Sequence, residues 1–136
     1  QLKRLNKILS VRNQNYNFLK KILYQSKKFK NQFEIITSDK VRDIAWFGVA
    51  IKLNKKFIKS KNNIILKLNK SGIETRPIIS GNFGNQPAVK LYNISPGKLA
   101  NADKIEKSSF FLGLHNTILK EKELKKFEKF FFDAFI

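Results

Sequence analysis

Apolar residues recur at three- and four-residue spacing through the first two dozen positions. Leu2, Leu5, Ile8, Leu9, Tyr16, Leu19, Ile22 and Leu23 stand among Lys, Arg and Asn. That period predicts one amphipathic helix over 2–24, with no Pro or Gly to interrupt it. No capping residue precedes Gln1, so the helix is expected to begin upstream in a longer parent chain. Residues 25–43 are polar, with an apolar patch at Phe33, Ile35 and Ile36 that suits a loop or an edge strand. Residues 45–53 are the best strand candidate. The run is apolar on both sides at its start, so it is expected to be covered on both faces. Ser60 is placed to cap a second helix through Ile64, Ile65, Leu66 and Leu68, which Gly72 would end. A second strand over 73–79 contains Pro77, which donates no backbone bond and predicts an edge or an interruption.

Residues 80–87 read as a loop, followed by a helical turn over 88–92 and a Pro96-Gly97 turn. A short helix over 101–107 would take Asn101 as its cap. Residues 110–114 predict a short buried strand. The last helix spans about 119–135 and sets Leu124, Phe127, Phe131 and Phe135 on one side, with Glu121 and Glu123 in the first turn where the helix dipole favours acids. This order is an α+β layout: a small antiparallel sheet covered by helices on one face, with the long first helix leading into something else. The chain divides into residues 1–24 and an α+β core over 45–136, one domain in all.

Charge adds less than its size suggests. The 136 residues carry 28 Lys+Arg against 10 Asp+Glu, a formal net charge of +18. Such an excess invites a nucleic-acid reading. Yet the arginines are Arg4, Arg12, Arg42 and Arg76 alone, and dedicated phosphate readers lean on Arg for its bidentate fork. The lysines are scattered and keep company with Asn, Ile and Phe, which share A/T-rich codons. A solvated basic face is the simpler reading, and a basic module for nucleic acid or another polyanion is kept as the alternative. Hydrophobic residues make up 42%, including 13 Phe, enough for a core. Cysteine is absent, which removes disulfides and thiolate chemistry. No apolar run approaches the roughly 20 residues of a membrane span. Methionine is absent too, so a piece of a longer protein, or a processed one, is expected.

Catalytic raw material is thin: one His, His115, and few carboxylates. No phosphate-binding glycine loop has its required frame, and no acids are spaced for a metal. Two places stand out. Arg76 and the loop Gly81-Asn82-Phe83-Gly84-Asn85-Gln86-Pro87 offer a guanidinium for a phosphate or carboxylate and amides that donate and accept. The plainer reading has the Asn side chains bonding their own backbone and Arg76 paired to Glu74 or a carbonyl. His115, where a buried strand ends, could meet a ligand or move a proton, or be a hydrogen-bonded structural residue. Phe130-Phe131-Phe132 reads as core or interface packing rather than a membrane anchor.

The segment 72–83, with Thr75-Arg76-Pro77, Gly81-Asn82-Phe83 and then Gln86-Pro87, resembles the C-terminal small domain of the DegT/DnrJ/EryC1/StrS aminotransferase family. The Gly-Asn-Phe then Gln-Pro pattern is closer to its dehydratase branch, the nucleotide-linked 4-keto-6-deoxyhexose 3-dehydratases. Gln1-Leu2-Lys3-Arg4-Leu5 with Arg12 and Asn15-Tyr16 resembles the long helix linking that family's large and small domains. Trp46-Phe47-Gly48 resembles the first strand of the small domain. Asn101-Ala102-Asp103 and Phe111-Leu112-Gly113-Leu114-His115 resemble the stretch before the final helix. Leu114-His115-Asn116 departs from the branch, where a second polar residue often flanks the histidine.

The resemblance implies the small domain of a type I fold pyridoxal-phosphate enzyme, with a long N-terminal linking helix. The intact parent would use pyridoxal or pyridoxamine 5'-phosphate on a nucleotide-linked 4-keto-6-deoxyhexose, removing the C3 hydroxyl or transferring an amino group. It implies a cytoplasmic homodimer with no membrane and no nucleic-acid partner. The Schiff-base residue would lie outside this chain, which alone would be inactive and bind no cofactor. Arg76, Asn82 and His115 are the candidates for facing substrate: Arg76 to balance phosphate or orient a neighbour, Asn82 to bond sugar hydroxyls or nearby backbone, His115 to orient substrate or assist proton transfer. A purely structural dimerisation piece is a third reading.

Overall fold

The computed structural model describes residues 2–37, 44–93, 95 and 97–136. A short 3₁₀ turn, Leu2–Arg4, opens into helix α1, Leu5–Gln25. Its buried residues, Val11, Asn15, Tyr16, Leu19 and Leu23, all lie in the later turns. The expected stripe is therefore core only from Val11 onward; Leu2 is 86% exposed and Leu5 is exposed too. Gln1 itself lies outside the described residues. A 3₁₀ turn, Lys27–Phe29, leads to strand β1, Phe33–Ile36, the edge strand that Phe33, Ile35 and Ile36 suggested. Residues 38–43, with Arg42, lie outside the described residues.

Strand β2, Gly48–Leu53, pairs antiparallel with β1 and with strand β4, Ser109–Gly113; β4 pairs in turn with strand β3, Thr75–Arg76, so the sheet order is β1-β2-β4-β3. Cross-strand partners share a face, and the register sets Phe33 opposite Leu53, Ile35 opposite Ile51, Ile51 opposite Phe110 and Val49 opposite Leu112. These residues form one buried face. Tyr16, Leu19 and Leu23 from α1 pack on it, as do Ile64 and Leu68 from helix α2, Lys61–Lys70, and Phe131 and Phe132 from helix α5, Glu121–Asp133. The other face carries Ala50, the Lys52–Glu34 ion pair, Phe111 and Arg76. The expectation that residues 45–53 are covered on both faces is thus corrected. The strand begins only at Gly48, and Phe47 before it is 57% exposed. Trp46 leaves the sheet direction and stacks on Tyr16, ring centroids 4.0 Å apart. Gly48 is required by space: a Cβ there would meet the Leu112 carbonyl at 2.5 Å and the Phe111 ring at 2.6 Å.

Helix α2 shows a second correction. Ser60 ends a 3₁₀ turn, Lys55–Ser60, and its side chain makes no cap bond, because its backbone has already turned helical at φ −88, ψ −1. The other end follows the expectation. Gly72 adopts φ 81 and donates to the Asn69 carbonyl at 3.0 Å, and Ile73 donates to the Leu68 carbonyl at 2.9 Å. That pair of hydrogen bonds is the Schellman stop, with Ile73 folding back onto the core. Asn69 Oδ1 then accepts from the Thr75 amide at 3.0 Å, delivering the chain to β3. The predicted strand over 73–79 shrinks to two residues at the sheet edge, since Pro77 has no N–H to continue the ladder.

The loop beyond contains a 3₁₀ turn, Phe83–Asn85, and helix α3, Pro87–Leu91, whose first residue is a Pro where no donor is missed. Pro96 of the expected turn lies outside the described residues. Helix α4, Ala100–Ser108, starts after Leu99, so Asn101 lies inside it and is not its cap. β4 follows at once and is buried from Ser109 to Leu112. Before α5 the Glu123 carboxylate accepts from the Lys120 amide at 2.7 Å. Phe131 is fully buried and its ring touches those of Phe33, Phe127, Phe132 and Phe135. The Phe-rich end of α5 is core. Among the described residues no helix is long and apolar enough to cross a membrane.

Candidate functional site

The short β3 leaves space at the sheet edge. A cleft of about 720 Å³ opens there, with Arg76, His115, Phe47, Phe111, Arg12 and Lys126 in its wall. Arg76 reaches it from β3 and His115 from the chain just past β4. Arg76 is exposed, and its Nε and Nη2 both donate to Glu74 Oε1, at 3.0 and 2.7 Å. This is the pairing with Glu74 that the plainer reading held open. The His115 side chain is exposed; its backbone carbonyl accepts from Asn15 Nδ2 at 3.2 Å. Cations outnumber carboxylates in the wall, with Arg12, Arg76 and Lys126 against Glu74 and Glu123. An anionic or phosphate-bearing ligand suits that balance.

Asn82 lies elsewhere. It lines a smaller hollow of about 320 Å³ with Asn85, Lys98 and Asp103. It is only 4% exposed, and both ends of its amide are engaged. Its Oδ1 accepts from the Gly84 amide at 2.9 Å, and its Nδ2 donates to Asp103 Oδ1 at 2.7 Å. Asn85 Nδ2 donates to Asp103 Oδ1 at 3.1 Å and to Glu106 Oε2 at 2.8 Å, and Gln86 Nε2 closes the loop onto the Ser80 carbonyl at 2.8 Å. The bond from Asn82, then that from Asn85, holds the Asp103 carboxyl below its ordinary value. Two of the three candidate residues therefore share one cleft, and the third shapes a different one.

Two residues that the resemblance set on the linking helix without a site role, Arg12 and Asn15, also contribute. Arg12 Nε donates to Asn116 Oδ1 at 2.9 Å, and Asn15 binds the same stretch of chain through three bonds. The signal was present: Asn15 sits on the apolar stripe of α1, four positions from both Val11 and Leu19. Among the described residues no group of three His, Cys, Asp or Glu side chains could hold a metal ion.

Neither cleft fits a resident pyridoxal phosphate. An imine-forming amine needs its pKa lowered by burial or a neighbouring cation. Lys98 and Lys126, the lysines in the two walls, are exposed. Lys61 is lowered, by desolvation working against the pull of Glu106, but its Nζ donates to the Glu106 carbonyl and lines neither cleft. No step through that group is assigned to residues of this chain.

Known proteins bear on this geometry. A GDP-4-keto-6-deoxy-D-mannose 3-dehydratase from Yersinia pseudotuberculosis is 29% identical over 124 residues, 90% of this chain and 30% of the relative. The protein of the same name from Escherichia coli O55:H7 is 30% identical over 117 residues, 85% of this chain and 29% of the relative. The solved E. coli GDP-4-keto-6-deoxy-D-mannose-3-dehydratase with bound hydrated PLP matches with a TM-score of 0.75 at 25% identity, covering 96% of this chain and 32% of that one. PseC, an aminotransferase of Helicobacter pylori, shares the fold at a TM-score of 0.77 and 20% identity, over 99% of this chain and 34% of that one. This chain thus spans about three tenths of the length of the curated relatives it matches. The family model described as the DegT/DnrJ/EryC1/StrS aminotransferase family matches residues 1–127, and the chain belongs to that family.

Proposed function

We propose that this chain is the C-terminal small domain of an enzyme that uses pyridoxal or pyridoxamine phosphate to remove the C3 hydroxyl of a nucleotide-linked 4-keto-6-deoxyhexose. The observation that carries the reading is the family match together with relatives named as 3-dehydratases at 29% and 30% identity. The aminotransferase PseC, at 20% identity, supports the fold alone, so dehydration is preferred over amino transfer. When bound, the cofactor in its amine form would supply both the electron sink and the two electrons that replacing the C3 hydroxyl by hydrogen needs, and a large domain outside this chain would hold it.

The chain's own part is to close one side of the substrate cleft. Arg76 faces the phosphates of the nucleotide, with Glu74 holding its guanidinium through Nε and Nη2. His115 orients the sugar or moves a proton at its hydroxyl. Asn82 keeps the 80–86 loop in one shape through Asp103 and Gly84. The intact protein would be a homodimer working in the cytoplasm. Polyanion binding retains only the net charge as support, and a DNA titration whose affinity survives at about 200 mM salt would favour it.

The test is turnover by the full-length protein, with pyridoxamine phosphate and GDP-4-keto-6-deoxy-D-mannose. A product lacking the C3 hydroxyl by mass spectrometry is the expected result; an amino sugar as the product would replace dehydration with transfer. Asn82→Ala should lower turnover while the absorbance of the bound cofactor stays in place. Unchanged kinetics would mean that the 80–86 loop held by Asn82 does not shape the substrate cleft.

A further inference from the structure

We infer that Asn15 is a positioning residue for His115, an assignment that rests on the cleft reading above. Asn15 is fully buried on the core side of α1. A lone amide among apolar neighbours costs free energy unless each of its groups is bonded. Here all are. The two Nδ2 hydrogens go to the His115 carbonyl at 3.2 Å and the Thr117 carbonyl at 2.8 Å, and Oδ1 accepts from the Leu119 amide at 3.0 Å. These partners lie 100 to 104 residues away in the chain.

The stretch they hold belongs to no helix or strand. It leaves β4 after Gly113 and joins α5 at Glu121, and residues 115–118 are exposed. Among the described residues no ladder neighbour fixes its course. One bond, from the Leu114 amide to the Phe47 carbonyl at 3.3 Å, anchors its start. Asn15 anchors the remainder, and Arg12 adds the bond to Asn116. The direction in which the His115 imidazole enters the cleft is therefore set from α1. A leucine of similar size would fill the same volume but leave the His115 and Thr117 carbonyls and the Leu119 amide without this partner, so the amide serves the course of the segment and not apolar packing alone.

The experiment is a double-mutant cycle on the full-length protein, reading kcat/KM with GDP-4-keto-6-deoxy-D-mannose. Asn15→Leu should lower kcat/KM by roughly 10- to 100-fold, chiefly in kcat, because a displaced group loses its reacting geometry. In the His115→Ala background the same change should cost almost nothing further. Equal losses in both backgrounds, or a lowered melting temperature with unchanged kinetics, overturn the assignment. If Asn15→Leu does not fold, Asn116→Ala takes its place in the cycle, with a loss of about 2- to 5-fold that again vanishes beside His115→Ala. Equal losses in the two backgrounds overturn the assignment there too. His115→Ala with unchanged kinetics sinks the cleft reading instead. Hydrogen exchange over 115–119 then judges the clamp alone: in Asn15→Leu it should rise about tenfold while β2 stays protected, and unchanged exchange ends the proposal.

Discussion

Loop 80–86 and segment 115–119 each have a buried asparagine among their anchors, and the two are built differently. Asn82 belongs to the loop it orders and bonds Gly84, two residues on, and Asp103. Asn15 belongs to a distant helix and bonds backbone groups only. The first arrangement contains a titratable acceptor, and its order is coupled to the charge of Asp103. The second contains none, and its order is coupled instead to the seating of α1 on the sheet. One loop is thus sensitive to its local chemistry, the other to long-range packing.

The largest expected effect removes the ground common to both. Phe131→Ala deletes a fully buried ring at the meeting point of α5 and β1 and should cost about 3–5 kcal/mol in urea unfolding, loosening both loops together. If 80–86 kept its protection while 115–119 lost it, the comparison would need only α1 and not the whole core.

Acid should separate the two loops. The Asp103 carboxyl is held below its ordinary 3.8 when folded, so its contribution is present above that value and is lost as pH falls through the lower folded value. The Gly84 amide resonance should titrate with a midpoint below 3.8, while Leu119 stays still. A midpoint at or above 3.8, or equal movement at Leu119, contradicts the distinction.

The smallest expected effect is at the cleft rim. Glu74→Gln breaks an exposed pair and should change stability by less than about 1 kcal/mol. If Arg76 faces phosphate, freeing it should alter KM for the nucleotide sugar with kcat nearly unchanged. An equal change in kcat would place Glu74 in the chemistry.

Much of the layout was legible along the chain. Gly72 stops α2 because a positive φ is needed there, and Pro77 confines β3 to the edge because a donor is missing; both are local covalent facts. The Arg76–Glu74 pair and the Asn82–Gly84 bond were likewise within reach, since each spans two residues. Ser60 and Asn101 misled as caps because capping depends on the backbone angle at the junction, which the neighbouring turn decides. Phe47 misled because its apolar character says nothing about how the chain enters β2.

By itself the sequence determined the periods, the stops and the family pattern, since these follow from spacing and from the geometry of single residues. Tertiary structure alone decided that Arg76 and His115 share a cleft while Asn82 does not, and that Asn15 steers a segment 100 residues away. Those outcomes depend on strand order and register, and no local preference encodes which distant backbone groups a buried amide will meet.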